Sequence, residues 1–294
     1  MPFPHSDPVC CAVKEIALEA MGRRIRALFL LFASVGLCRC GALPVHQDHV
    51  QIIAHRGASA DVPENTLAAF DAAWHQGADG IEGDFRLTRD GMVACVHDRT
   101  MERTAGDPRE VAQLSRQELL GLEVGSWKHD RFRGEPVPMI DEVFAAVPAG
   151  GLILVEVKSG PETVPALISA LDASGIPEEQ VTVICFKDQV LRRLKDERPD
   201  SRTYLLSSFK ETDGTWNPTV DALIDRALAC GADGLGVHGN LEVVDKAFAD
   251  RCREAGLELN VWTVDDLEDA HAFTRVGVTS ITTNRPGLIR SGLR

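Results

Sequence analysis

From residue 49 onward, short apolar runs alternate with longer helical stretches, and this alternation limits the possible folds more than any other feature. The runs are 49–55, 80–85, 152–157, 181–186, 203–206, 234–238, 258–264 and 280–283. Helical stretches at 64–76, 140–146, 163–173, 189–197, 218–230, 242–255 and 267–275 fall between most of them. Turns such as Gly77-Ala78-Asp79-Gly80 and Gly231-Ala232-Asp233-Gly234 carry a helix into the next run, glycine suiting the helix C-terminus. Eight strands with interleaved helices predict an α/β chain, a closed (β/α)8 TIM barrel over 48–294, with an open doubly wound sheet as the alternative. No Gly-x-Gly-x-x-Gly follows the first run, which argues against a dinucleotide site.

The rhythm breaks after the second run. Asp90-Gly91 separates two extended stretches, the pattern of a two-residue hairpin. With that turn, Arg89 pairs with Met92 and, further down the ladder, Asp84 pairs with His97. Residues 99–139 then form the longest stretch without a barrel strand, and such a length predicts a small inserted subdomain over the barrel mouth.

The first residues differ from the rest. Met21-Gly22-Arg23-Arg24-Ile25-Arg26 is basic, Ala27 to Leu37 is apolar, and Cys40-Gly41-Ala42 offers small residues for a cut after Ala42. That order is a secretory signal peptide. We expect a leader at 1–42 that starts at Met21, with 1–20 an upstream extension, and hence an exported, periplasmic or extracellular protein. Without a working leader the protein is cytoplasmic. The remaining cysteines, Cys95, Cys185, Cys230 and Cys252, lie in apolar segments and read as buried thiols. The net charge of −13 argues against a nucleic-acid partner, and membrane contact is expected only through the leader or a lipid substrate. An acidic chain that takes an anionic substrate must do so through local positive groups.

Those groups stand at strand ends. The first run ends in His55-Arg56-Gly57, and side chains at the C-terminal end of a parallel strand point into the ligand crevice. Glu82 and Asp84 are two apart on a strand and so share a face. Two acids so close repel unless a positive charge intervenes, and a hard divalent cation with oxygen ligands, Mg²⁺ or Ca²⁺, is one answer. Glu156 is a third acid at a strand end, with Lys158 facing the same way; a plain Glu–Lys ion pair is the alternative there. Imidazoles at His55 and His97 can exchange protons near neutral pH. Arg56 can hold two phosphate oxygens in its planar fork. A metal, two acid–base histidines and a cationic clamp fit cleavage of a phosphate ester. Glu64 and Asn65 open a helix, where such residues commonly cap free N–H groups, and are expected to do so here.

The sequence resembles the glycerophosphodiester phosphodiesterase family. The matching residues are His55-Arg56-Gly57, Pro63-Glu64-Asn65-Thr66, Glu82-Gly83-Asp84, His97-Asp98, Glu156-Val157-Lys158 and Val261-Trp262-Thr263, with Glu118-Leu119, Gly125-Ser126-Trp127 and Pro136-Val137-Pro138 in the insertion. The resemblance implies a TIM barrel with an inserted subdomain and one divalent cation on Glu82, Asp84 and Glu156. It implies His55 and His97 as general acid and base, Arg56 and Lys158 on the phosphate, and Trp262 and Phe186 on the glycerol side. The implied reaction takes a small glycerophosphodiester to glycerol 3-phosphate and an alcohol. A lysophospholipase D-like relative and a non-catalytic binding protein on the same fold are the alternatives. Gly83 stands where a larger residue is usual, and Cys185-Phe186-Lys187 where relatives often carry Ser-Phe-Asp.

The leader has a direct test. N-terminal sequencing of the protein recovered from the periplasm or medium is expected to begin at Leu43; recovery of an uncut chain in the cytoplasm would reject export.

Overall fold

A computed structural model of the chain describes residues 49–294. The leader expected at 1–42, with its start at Met21, lies outside the described residues. Among the described residues, eight parallel strands close into a barrel. They are β1 (Gln51–His55), β2 (Gly80–Leu87), β3 (Leu152–Val157), β4 (Val181–Cys185), β5 (Arg202–Ser207), β6 (Gly234–His238), β7 (Glu258–Trp262) and β8 (Ser280–Thr283). Each pairs with its neighbour in sequence, and β1 pairs with both β2 and β8, which shuts the ring and removes the open-sheet alternative.

Helices cover the outside: α1 (Leu67–His75), α2 (Ile140–Ala145), α3 (Val164–Ser174), α4 (Asp188–Glu197), α5 (Val220–Ala229), α6 (Lys246–Glu254), α7 (Leu267–Val276) and α8 (Pro286–Gly292). Their apolar faces need cover, and the strands supply it with every second residue. Ile52, Ala54, Ile81, Phe85, Ile153, Val155, Val157, Leu235, Val237, Leu259, Val261 and Ile281 all belong to this outer core. The other parity points inward: Ile53, Leu154, Ile184, Tyr204 and Leu206 pack together inside the ring. No helix among the described residues is long and apolar enough to cross a membrane.

Two expectations are corrected. The hairpin after β2 turns through three residues, Arg89-Asp90-Gly91, because Thr88 N bonds to Met92 O (2.8 Å) and Gly91 takes φ +78°. The Thr88 hydroxyl meets both Asp90 Oδ1 and Met92 O, closing the loop. The register moves by one, so Phe85 pairs with Cys95, and Val96 rather than His97 donates to Asp84 O (2.8 Å). The second correction concerns α1. It begins at Leu67, and Thr66 is its cap, its hydroxyl accepting from Ala69 N (3.1 Å). Glu64 and Asn65 are therefore free for other partners.

Residues 99–139 carry a two-stranded ribbon of Thr100–Met101 with Asp107–Glu110, and the short helices Glu102–Ala105 and Arg116–Leu119. Met101, Val111, Leu114, Leu119, Val124 and Val137 form an apolar cluster apart from the outer core. A further ribbon, Lys210–Thr212 with Thr215–Asn217, and the last helix α8 were not legible in the sequence pattern.

Gly57 makes the turn out of β1 possible. It holds φ +81°, and a Cβ there would lie 2.5 Å from the Ala69 carbonyl carbon. Gly57→Ala is expected to destabilise the fold by more than ~2 kcal/mol; a thermal midpoint equal to wild type would contradict this.

Candidate active site

Parity and register together assemble the site. His55, Glu82, Glu156, Lys158, Ile184, Phe186, Leu206, Asn260, Trp262 and Thr282 share the inward parity of their strands or lie just beyond them. All line one cavity of about 200 Å³, together with Arg56, His97 and Thr263. The strand register sets His55 beside Glu82 and Asp84 beside Glu156. Asp84 is fully buried behind the cavity wall.

The three carboxylates each offer an oxygen within 4.8 Å of the others. Glu82 Oε1 is buried with no hydrogen-bond partner, and the buried Asp84 Oδ1 makes no hydrogen bond but a 3.4 Å ion pair with Lys158 Nζ. Burial and then the charges of Asp84 and Glu156 push the Glu82 carboxyl well above its ordinary range. Burial and the Asp84 charge raise Glu156 to about 7, although Lys158 Nζ donates to its Oε1 (2.7 Å). The Glu–Lys ion pair weighed above as an alternative is thus present. Burial also acts against Asp84, but Arg56 and Lys158 outweigh it and hold Asp84 at about 2. Two buried oxygens that accept no hydrogen bond, in a cluster that resists carrying its full charge, fit a hard cation.

The clamp residues are held by the same acids. Arg56 takes φ +57°, a left-handed conformation uncommon for a side-chain-bearing residue. That turn aims its backbone N–H at Glu82 Oε2 (2.9 Å). Its Nε lies 3.1 Å from Asp84 Oδ2 and its Nη1 donates to Glu64 Oε1 (3.0 Å). Asn65, also at φ +57°, donates to Asp84 Oδ2 (2.9 Å) and accepts from Asp84 N (3.1 Å). Glu64 and Asn65 are site residues, not caps.

Each histidine has one ring nitrogen fixed. His55 Nδ1 lies 2.8 Å from Asn284 Oδ1. Asn284 Nδ2 donates to Asp265 Oδ2 (2.6 Å), so its Oδ1 is the acceptor facing His55. The His55 proton therefore sits on Nδ1 and Nε2 keeps its lone pair. Burial, then the Arg56 charge, lower the His55 pKa to about 4. His97 Nδ1 lies 2.7 Å from Asp98 Oδ1. Asp98 is held below the usual carboxylate range: burial opposes this, but the bonds from Arg103 and His97 prevail. Phe186 packs edge-on to Trp262, ring centroids 5.6 Å apart, at the apolar end of the cavity. Gly83 is explained by packing, since a Cβ there would crowd Phe85 (3.2 Å) and Phe70 (3.3 Å).

The profile of the glycerophosphoryl diester phosphodiesterase family matches residues 55–288. The chain belongs to this family. A glycerophosphodiester phosphodiesterase of Caldanaerobacter subterraneus is 32% identical over 250 residues, 82% of this chain and 98% of that protein. The Bacillus subtilis enzyme of the same name is 28% identical, covering 90% of this chain and 96% of its own. Among solved structures, an Oleispira antarctica phosphodiesterase in complex with the product sn-glycerol-3-phosphate superposes with a TM-score of 0.74 at 25% identity, covering 83% of this chain and 96% of that one. The family's barrel is the fold described above.

Sequence reasoning named every charged residue on the cavity wall. It assigned no role to Asn284, Asp265, Asp98 or Arg103, and it read Asn65 as a cap. Asp98 was exposed by its place beside His97; the others meet their partners only through the closed ring.

The raised Glu156 carboxyl gives a stability prediction. A carboxyl raised from 4.5 to about 7 binds its proton more tightly when folded, so it removes stability as pH rises between those values. His55, lowered from 6.5 to about 4, acts in the opposite sense. The Glu156→Gln variant isolates the first effect. In chelator, wild type is expected to lose roughly a few degrees of thermal midpoint relative to Glu156→Gln from pH 5 to pH 7.5. A constant difference would refute it.

Proposed function

We infer that the protein hydrolyses glycerophosphodiesters to glycerol 3-phosphate and an alcohol. The observation that carries this reading is the cavity itself, where two separately braced histidines, a guanidinium and an ammonium surround three clustered carboxylates. Membership of the family supports it.

Glu82, Asp84 and Glu156 would hold one divalent cation, Mg²⁺ or Ca²⁺, by an all-oxygen set. Bound there, the ion would neutralise charge on a phosphate oxygen and acidify a nearby hydroxyl. The phosphate is read as lying between Arg56 and Lys158, with glycerol toward Trp262 and Phe186. His55, neutral with a free Nε2, starts as the base and takes the proton of the glycerol 2-hydroxyl. That oxygen bonds to phosphorus as the bond to the alcohol oxygen breaks. His97, oriented by Asp98, gives its Nε2 proton to the departing alcohol. In the second half the roles reverse: His97 takes a proton from water, the water oxygen bonds to phosphorus as the bond from phosphorus to the 2-oxygen breaks, and His55 returns its proton to that 2-oxygen. We read residues 99–139 as a subdomain at the mouth, and the leader residues as directing export.

His55→Ala and His97→Ala are each expected to lower kcat on glycerophosphocholine by about 10²–10⁴-fold. EDTA should abolish turnover and Mg²⁺ or Ca²⁺ restore it. Undiminished kcat in His97→Ala, or equal rates with and without chelator, would sink the scheme. Faster turnover of lysophosphatidylcholine than of glycerophosphocholine would move the reading to a lysophospholipase D.

A further inference from the structure

One side chain of the 99–139 segment ties the two halves of this site together. Arg103 lies in the short helix Glu102–Ala105. Its Nε donates to Asp98 Oδ2 (2.6 Å), while its Nη1 and Nη2 donate to Glu64 Oε2 (3.0 Å) and Oε1 (2.7 Å). Asp98 is the partner of His97, and Glu64 is the partner of Arg56. A single guanidinium thus braces the residue that orients a histidine and the residue that holds the phosphate clamp. Its carbon centre stands 5.4 Å from the Trp127 ring centroid, and Trp127 is itself fixed by Nε1 donating to Val124 O (2.8 Å).

We propose that Arg103 is a positioning residue that acts on the reaction through two arms at once. The proposal rests on the functional reading above. Through Asp98, it keeps the opposite carboxylate oxygen aimed at His97 Nδ1, so that Nε2 carries the transferred proton. Through Glu64, it shares a negative charge that would otherwise fall wholly on Arg56 and compete with the substrate phosphate. Only an arginine can do both, because a planar fork meets two carboxylates where an ammonium is a point charge.

The arms predict a split in kinetics. Arg103→Met is expected to lower kcat and raise KM for glycerophosphocholine, together costing on the order of 10- to 100-fold in kcat/KM. In an Asp98→Asn background the kcat loss should vanish and the KM rise remain. In a Glu64→Gln background the KM rise should vanish and the kcat loss remain. In the double background, Arg103→Met should change neither by more than about twofold. Arg103→Lys should restore at most one arm. The same loss in every background would mean that Arg103 serves only the fold, and full rescue by lysine would reject the fork; either overturns the proposal. If the wild type turns over no glycerophosphodiester, the functional reading fails, yet the histidine arm is still decided by ¹⁵N NMR of the His97 ring. At a pH high enough to leave the ring neutral, the Nδ1–H tautomer alone should be seen in wild type and a tautomer mixture in Arg103→Met. An unchanged pattern in the variant would overturn the arm.

Discussion

The structure is built around an electrostatic imbalance at one end of the barrel. Three carboxylates converge where β2 meets β3, and burial leaves little water to screen them. Lys158 and Arg56 supply the opposing charge. Arg56 does so only by taking a left-handed backbone that points its N–H and its guanidinium at the acids. Asn65 adds two bonds to Asp84. Even so, Glu82 Oε1 keeps no partner, Asp84 Oδ1 has only a 3.4 Å ion pair with Lys158, and Glu82 and Glu156 resist ionisation. A cluster of this kind could hold a divalent cation.

The barrel gives the charges a fixed address. Outward residues of each strand are consumed by the helices, so the inward set is free to be polar at the mouth. Lower in the ring the same parity carries Ile53, Leu154 and Tyr204, which pack together in the interior below the site. Function sits on a packed floor. The braces come from elsewhere: Asn284 and Asp265 follow β8 and β7, while Asp98 and Arg103 come from the hairpin and the segment after it. The two histidines are oriented by separate networks, which suits the opposite acid and base roles proposed for them.

The chain reports some of this directly. A carboxylate at a strand end is visible because apolar neighbours fix its parity, as with Glu82-Gly83-Asp84 and Glu156-Val157-Lys158. The barrel is visible because strand and helix periods alternate. The hairpin register was misjudged by one residue, since Asp-Gly signals a turn without stating its length; the Thr88 hydroxyl decided it. Glu64 and Asn65 were misjudged as caps because a helix start rewards the same polar residues that a site does. Thr66, one position later, took the cap.

The sequence alone therefore determined the fold class, the inward-facing acids and the histidines, since these follow from local periodicity and from residue chemistry at strand ends. Only the tertiary structure decided which ring nitrogen of His55 carries its proton, that Arg56 and Asn65 turn toward Asp84, and that Arg103 reaches both Asp98 and Glu64. Those contacts join residues far apart in the chain, and they exist only once the ring has closed and the 99–139 segment has folded back against it.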